Sequence, residues 1–125
     1  MASLEGKNIL IVEDDALLSE MLAGKFATEK SIVSHAADGE QALSMLKDKK
    51  YDLILLDIML PKVDGLTVLK SINENEISKG TPIIILSNLG QKNDVEKGVA
   101  LGVKKYLVKA ILSLDEVIEA SKEVI

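Results

Sequence analysis

Four apolar runs of this chain end in side chains able to do chemistry. Lys7 to Glu13 (KNILIVE) ends in Glu13, with Asp14 and Asp15 directly after it. Tyr51 to Asp57 (YDLILLD) ends in Asp57, PIIILS ends in Ser87, and Lys104 to Val108 runs into Lys109. Carboxylates gathered at one place repel one another, and at least one stays protonated unless a cation intervenes. An all-oxygen, hard ligand set with room for waters suits Mg²⁺ or Mn²⁺ rather than zinc. Two acids on a metal, a third carboxylate free to attack, a hydroxyl and an amine are the parts needed for phosphoryl transfer. That reaction asks for charge neutralisation and positioning more than for covalent chemistry from the protein. An aspartate can itself be the acceptor, giving an aspartyl-phosphate. Singly, each residue has a plainer reading: an acid after a strand caps a helix, a serine turns the chain, a lysine is solvated. Their joint occurrence at four strand ends is what carries the functional reading.

The elements that must position these groups are legible in the pattern. Leu53 to Leu56 is an unbroken aliphatic run bounded by turn signals, which suits a strand buried on both faces of a parallel sheet. Lys7 to Glu13 and the run after Thr81-Pro82 have the same character. Between them, Leu18, Met21, Leu22 and Phe26 follow helical spacing over Asp15 to Lys30, with Asp14 or Asp15 as N-cap. Ser31 to Ala36 is a half-polar strand suited to a sheet edge. Asp38-Gly39 turns into a helix carrying Ala42, Leu43 and Leu46. A helix over Asp64 to Glu74 turns Leu66, Leu69 and Ile72 inward, and Asn73 to Gly80 reads as loop. Asn88-Leu89-Gly90 is a loop, and Gln91 to Leu101 is a helix with Val95 and Val99 as a weak apolar stripe and Gly102 at C′. Lys104 to Val108 is the last strand. Leu112 to Val124 is the last helix, with Ser113 and Glu116 as a capping box. Five strands alternating with five helices predict an α/β fold, a doubly wound parallel sheet of order 2-1-3-4-5 with right-handed crossovers. In that order the first, third, fourth and fifth strands are neighbours about 4.8 Å apart, so their terminal side chains can meet.

Composition narrows the class. The chain has 125 residues, enough for one domain with its own core. A net charge of −5 argues against direct nucleic-acid binding, and the absence of cysteine removes thiol and Cys-zinc chemistry. No segment has the length and apolarity of a membrane span or a signal peptide, so the expectation is a cytoplasmic protein with no membrane partner.

With these residues in place the chain resembles the receiver domain of two-component response regulators, the chemotaxis receiver among them. The resemblance rests on ILIVEDD, LILLDIMLPKVDG, PIIILS, Ala100-Leu101-Gly102 and KYLVK, covers nearly the whole chain, and implies a single receiver domain over residues 1–125. It implies a signalling switch rather than an enzyme. Asp57 would be the phosphoacceptor. Asp14 would bind Mg²⁺ directly, Glu13 through water, and Met59 through its backbone carbonyl. Ser87 would be the switch hydroxyl, Lys109 the phosphoryl-binding lysine, and Tyr106 the aromatic that turns inward on activation. The implied donor is a sensor histidine kinase or phosphotransfer protein, docking on Leu17 and its neighbours and on the loop at Lys109. The implied output is contact with a downstream protein, the chain itself being a monomer or weak dimer.

Three residues depart from the family pattern. Ala110 stands where a proline in a cis peptide is usual; a cis bond before a non-proline costs about 2.5 to 4 kcal/mol, so a trans Lys109–Ala110 bond is expected. Asn88 replaces a small residue after the switch hydroxyl and would narrow access to Asp57. Met59 and Leu89 are apolar where polar side chains tune dephosphorylation, which predicts a long-lived phosphorylated state. His35, the single histidine, is expected on the edge strand far from the acids. The rival readings are a Mg²⁺-dependent aspartyl-phosphate phosphohydrolase, a flavin-binding module and a degenerate receiver that binds partners without phosphorylation. The first wants a second Asp where Met59 stands. The second wants a hydroxyl-rich phosphate loop where this chain has Glu13-Asp14-Asp15-Ala16. The third is at odds with a full set of pocket residue types.

Overall fold

The computed structural model describes residues 3–88 and 92–125. Five strands alternate with five helices in chain order: β1 (Asn8–Val12), α1 (Ala16–Thr28), β2 (Ile32–Ala36), α2 (Gly39–Leu46), β3 (Leu53–Asp57), α3 (Gly65–Glu74), β4 (Ile83–Ser87), α4 (Lys92–Ala100), β5 (Lys105–Val108) and α5 (Leu114–Val124). The strands are parallel and ordered β2-β1-β3-β4-β5, as the alternation predicts. Every residue of β3 and β4 is buried, and β2 and β5, the edges, are the half-polar strands.

Side chains alternate across the sheet with period two, and the two faces carry separate apolar clusters. Ile9, Ile11, Leu53, Leu55, Ile84 and Leu86 pack with Leu22 and Phe26 of α1 and with Val117 and Ile118 of α5. Leu10, Val12, Ile54, Leu56 and Ile85 pack with α2 and α3 through Ala42, Leu46, Val68, Leu69 and Ile72. Val95 of α4 joins the second layer from its edge. The helices begin where short polar side chains can accept their free N–H groups. Asp15 caps Leu18 N–H, Asp38 Gln41 N–H, Asp64 Thr67 N–H and Ser113 Glu116 N–H. Of the expected capping box only the Ser113 half forms.

Three sequence readings need correction. Met21 and Val99 are about half exposed, at 47% and 52%, instead of facing the core. The reason at α4 is that Gly98, not a valine, makes the contact with the sheet: a Cβ there would lie 2.3 Å from Ile85 Cδ1. One residue further round the helix, Val99 then faces outward. That helix closes as expected at Gly102 (φ +93°), with Gly102 N–H donating to Val99 C=O and Val103 N–H to Gly98 C=O in a Schellman arrangement. The third correction concerns His35 and is taken up with the site. The loop residues Leu89 and Gly90 and the helix start at Gln91 lie outside the described residues. Among the described residues no helix is long and apolar enough to cross a membrane.

Candidate functional site

Three of the strand-end groups share one face. Glu13 continues the alternation of Ile9 and Ile11, and Asp57 that of Leu53 and Leu55. Lys109 follows Leu107, so all three belong to the α1/α5 side. Glu13 and Asp57 are fully buried, at 0% and 1% exposure. Lys109 lies between them, its Nζ 2.7 Å from Asp57 Oδ2 and 2.6 Å from Glu13 Oε1. The other Asp57 oxygen, Oδ1, accepts from Met59 N–H at 3.0 Å. Both carboxylate oxygens of Asp57 are thus engaged, one by a charge and one by a backbone donor. The backbone beneath is equally confined. Gly65 N–H donates to Ile58 C=O, and a Cβ at Gly65 would lie 2.3 Å from the Asp57 carbonyl, so only glycine lets α3 start this close to the end of β3.

Burial sets the proton affinities. Glu13 is pushed up to about 7 by desolvation, with the Asp57 charge adding to the shift and Lys109 and the Asp15 N–H opposing it. Desolvation alone would lower Lys109, but its hydrogen bonds to Asp57 and Glu13 outweigh that and hold it above the usual lysine value. Lys109 accordingly stays charged and neutralises one of two buried carboxylates. Asp14 is exposed beside them, and Glu13, Asp14 and Asp57 each offer an oxygen with all three within 4.8 Å. Glu13 Oε1 is buried and accepts no well-directed hydrogen bond. A hard, all-oxygen donor set with net negative charge, in which the buried Glu13 Oε1 has the Lys109 ammonium as its close partner, fits a divalent cation such as Mg²⁺.

Ser87 is buried at the carboxyl end of β4, the strand next to that of Asp57. Its carbonyl accepts Lys109 N–H at 2.7 Å, tying the β5 end to β4, and no hydrogen bond joins its hydroxyl to Asp57 among the described residues. Tyr106 is 52% exposed and lines a groove along β5 with Val99, Val103 and residues of α5. Met59 has an exposed side chain, as does Asn88. The Lys109–Ala110 peptide is trans, and no cis bond occurs among the described residues. Sequence reasoning missed His35. Its Nε2 lies 2.8 Å from the Glu13 carbonyl and 3.0 Å from Ser19 Oγ, so it touches the acidic turn instead of standing far from it. The register Ile11↔His35 causes this, and only strand pairing reveals it.

A five-stranded doubly wound sheet with buried acids at the carboxyl ends of β1 and β3 and a lysine from β5 is an open α/β module with its charged groups where such sheets bind ligands. Residues 9–122 match the response regulator receiver domain family, and the chain belongs to it. The transcriptional regulatory protein DltR of Streptococcus agalactiae is 40% identical over 101 residues, which are 81% of this chain and 44% of DltR. ResD of Bacillus subtilis, another transcriptional regulatory protein, is 36% identical over 101 residues, covering 81% of this chain and 41% of ResD. The chain therefore spans less than half the length of these curated relatives. Among solved structures, the receiver domain of the Francisella response regulator 1452 superposes with a TM-score of 0.84 at 30% identity, covering 95% of this chain and 96% of that one. The receiver domain of the sensor histidine kinase PA1611 from Pseudomonas aeruginosa, determined with a magnesium ion coordinated in its active site cleft, gives a TM-score of 0.86 at 28% identity, covering 95% and 97%.

Proposed function

We propose that this receiver domain is a phosphorylation switch in which Asp57 accepts a phosphoryl group. The observation that carries the reading is a buried aspartate at the end of a central strand, with one oxygen on the Lys109 ammonium and two further carboxylates within reach of a shared cation. Asp14, Glu13 and Asp57, with the Met59 carbonyl, would hold Mg²⁺ or Mn²⁺. The cation would supply the positive charge that lets an anionic phosphoryl group approach three acids. The donor is a phosphohistidine on a sensor histidine kinase or phosphotransfer protein. An Asp57 oxygen attacks phosphorus, the P–N bond breaks, and the histidine leaves as imidazole after taking up a proton. Lys109, already on Oδ2, stays charged and neutralises a phosphoryl oxygen as the group arrives.

Phosphorylation replaces a single negative charge by one nearer −2 with several acceptor oxygens. Ser87 and Lys109 would then be drawn towards it. Movement of the Ser87 segment would open space for Tyr106, and the surface of α4, β5 and α5 would change for a downstream protein partner. Leu17 (67% exposed) on α1 and Ile111 (74% exposed) just after Lys109 are the apolar residues offered to the incoming donor in a cytoplasmic pathway.

Incubation with acetyl phosphate and Mg²⁺, followed by intact mass, tests the acceptor. The wild type should gain one phosphoryl group and Asp57→Ala none; incorporation that persists in the mutant would remove the reading. The decay of the phosphorylated form tests the second expectation. Met59 presents no polar group to an attacking water, so Met59→Asn should shorten the lifetime, and an unchanged decay rate would remove the idea that apolar residues here prolong the signal.

A further inference from the structure

The β1–β2 ladder ends one residue too early for Glu13. Glu13 N–H donates to Ala36 C=O at 3.0 Å, the last main-chain bond of the pair. The chain then leaves the sheet at Asp38, whose N–H would be the next donor of a parallel ladder and whose side chain caps α2. The Glu13 carbonyl is left without a ladder donor, at a position where an unpaired buried carbonyl is costly. His35 supplies the missing bond from its side chain.

The chemistry of the contact fixes the tautomer. A carbonyl only accepts, so the proton sits on Nε2. The Ser19 hydroxyl has one hydrogen for two carbonyls, Asp15 at 2.7 Å and Glu13 at 3.4 Å, and the shorter contact takes it; its oxygen lies 3.0 Å from the same Nε2. The Nε2–H is therefore shared between the Glu13 carbonyl and Ser19 Oγ. The Asp15 N–H donates to Glu13 Oε2 at 3.0 Å, which bends the Glu13 carboxylate back over the turn. Glu13 is held at its N–H by β2, at its carbonyl by His35, and at its carboxylate by Asp15 and Lys109.

We propose that His35 is a positioning residue for the acidic turn: by donating to the Glu13 carbonyl it holds Glu13 and Asp14 where their carboxylates join Asp57 around a divalent cation. The proposal rests on the reading of those three acids as a metal site. It assigns the effect to a hydrogen-bond donor from an edge strand, not to bulk, since the His35 side chain is otherwise exposed. Groups that orient metal ligands from behind typically change metal affinity by about ten- to a hundredfold when removed.

The test uses the whole chain stripped with chelator and titrated with Mn²⁺, free ion being read from its paramagnetic resonance signal, with Mg²⁺ as competitor. His35→Val keeps a good strand former but no donor; His35→Gln keeps an amide N–H at similar reach. The valine variant should bind Mn²⁺ about tenfold more weakly, the glutamine variant should recover most of that loss, and Ser19→Ala should show a smaller decrease. Urea midpoints in chelator separate a loosened turn from a weakened fold. Wild-type affinity in His35→Val would overturn the proposal and leave the metal site standing. Equal loss in His35→Gln and His35→Val would overturn it too, by assigning the effect to the ring. A wild type that binds no Mn²⁺ would remove the metal site and this role together.

Discussion

The two ends of β5 present opposite designs. At its C-terminal end Lys109 enters a cluster in which Glu13 and Asp57 are fully buried and every charged oxygen but one has a directed partner. Along the strand itself, Tyr106 stands half exposed in a groove that Val103 and Leu107 also line. Its other lining residues are mostly charged, Lys104 and Lys105 on the β5 side and Asp115, Glu116, Glu119 and Glu123 from α5. The Lys105–Glu123 ion pair crosses it at the surface. In the cluster, removing Lys109 leaves the buried carboxylates without a counter-charge in a low-dielectric setting. In the groove, water replaces whatever is removed. Geometry is over-determined where chemistry is proposed and left adjustable where a partner would read it. A lysine from one end of the strand and an aromatic near its middle link the two.

Lys109→Met is the largest perturbation of this contrast. Removing one member of a buried ion pair costs about 3 to 5 kcal/mol because the others lose their counter-charge. In chelator at pH 7.5, urea unfolding should show a loss of about 3 kcal/mol, and Mg²⁺ should restore part of it by replacing the missing charge. The same loss from Lys105→Ala, an exposed pair expected to contribute less than about 1 kcal/mol, would erase the distinction between the two regions.

Glu13 gives an intermediate effect through pH. Its folded-state pKa of about 7 lies above its ordinary 4.5, so the folded chain binds a proton that the unfolded chain has released. The stability linked to that proton is fully present below about pH 4.5 and is lost as pH rises through about 7; the upper bound on the change is about 3 kcal/mol. In chelator the wild type should therefore weaken across this window, and Glu13→Gln should flatten that part of the profile. A profile that keeps the same slope in the mutant would show that Glu13 is not the group responsible.

Tyr106→Ala should do least to the fold. An exposed side chain away from any cap or network changes stability by about 0.5 kcal/mol or less, and phosphoryl incorporation from acetyl phosphate should be unaffected. What it should abolish is the change at α4 and α5 on phosphorylation, followed by amide exchange. A mutant that retains that change would separate Tyr106 from the readout.

How much was legible beforehand differs between the same regions. The aliphatic runs at Leu53–Leu56 and Ile83–Leu86, the capping aspartates and Gly102 are local signals, and the strand ends read from such signals lie within one residue of those observed. The groove was read less well. Val99 was assigned inward because helical spacing counts apolar residues, whereas α4 meets Ile85 through Gly98, a residue with no hydropathy to count. His35 was read as remote because an edge-strand histidine has no local mark of what its neighbour strand carries.

Sequence by itself determined the order of elements and which side chains terminate the strands, because burial periodicity and capping chemistry are properties of short segments. Tertiary structure alone decided that Lys109 lies between Glu13 and Asp57, a contact across 52 residues in its Asp57 arm. It decided as well that His35 completes the carbonyl of Glu13 where the ladder stops. Both depend on strand register and on which face each side chain takes, and a shift of one residue in pairing would undo them.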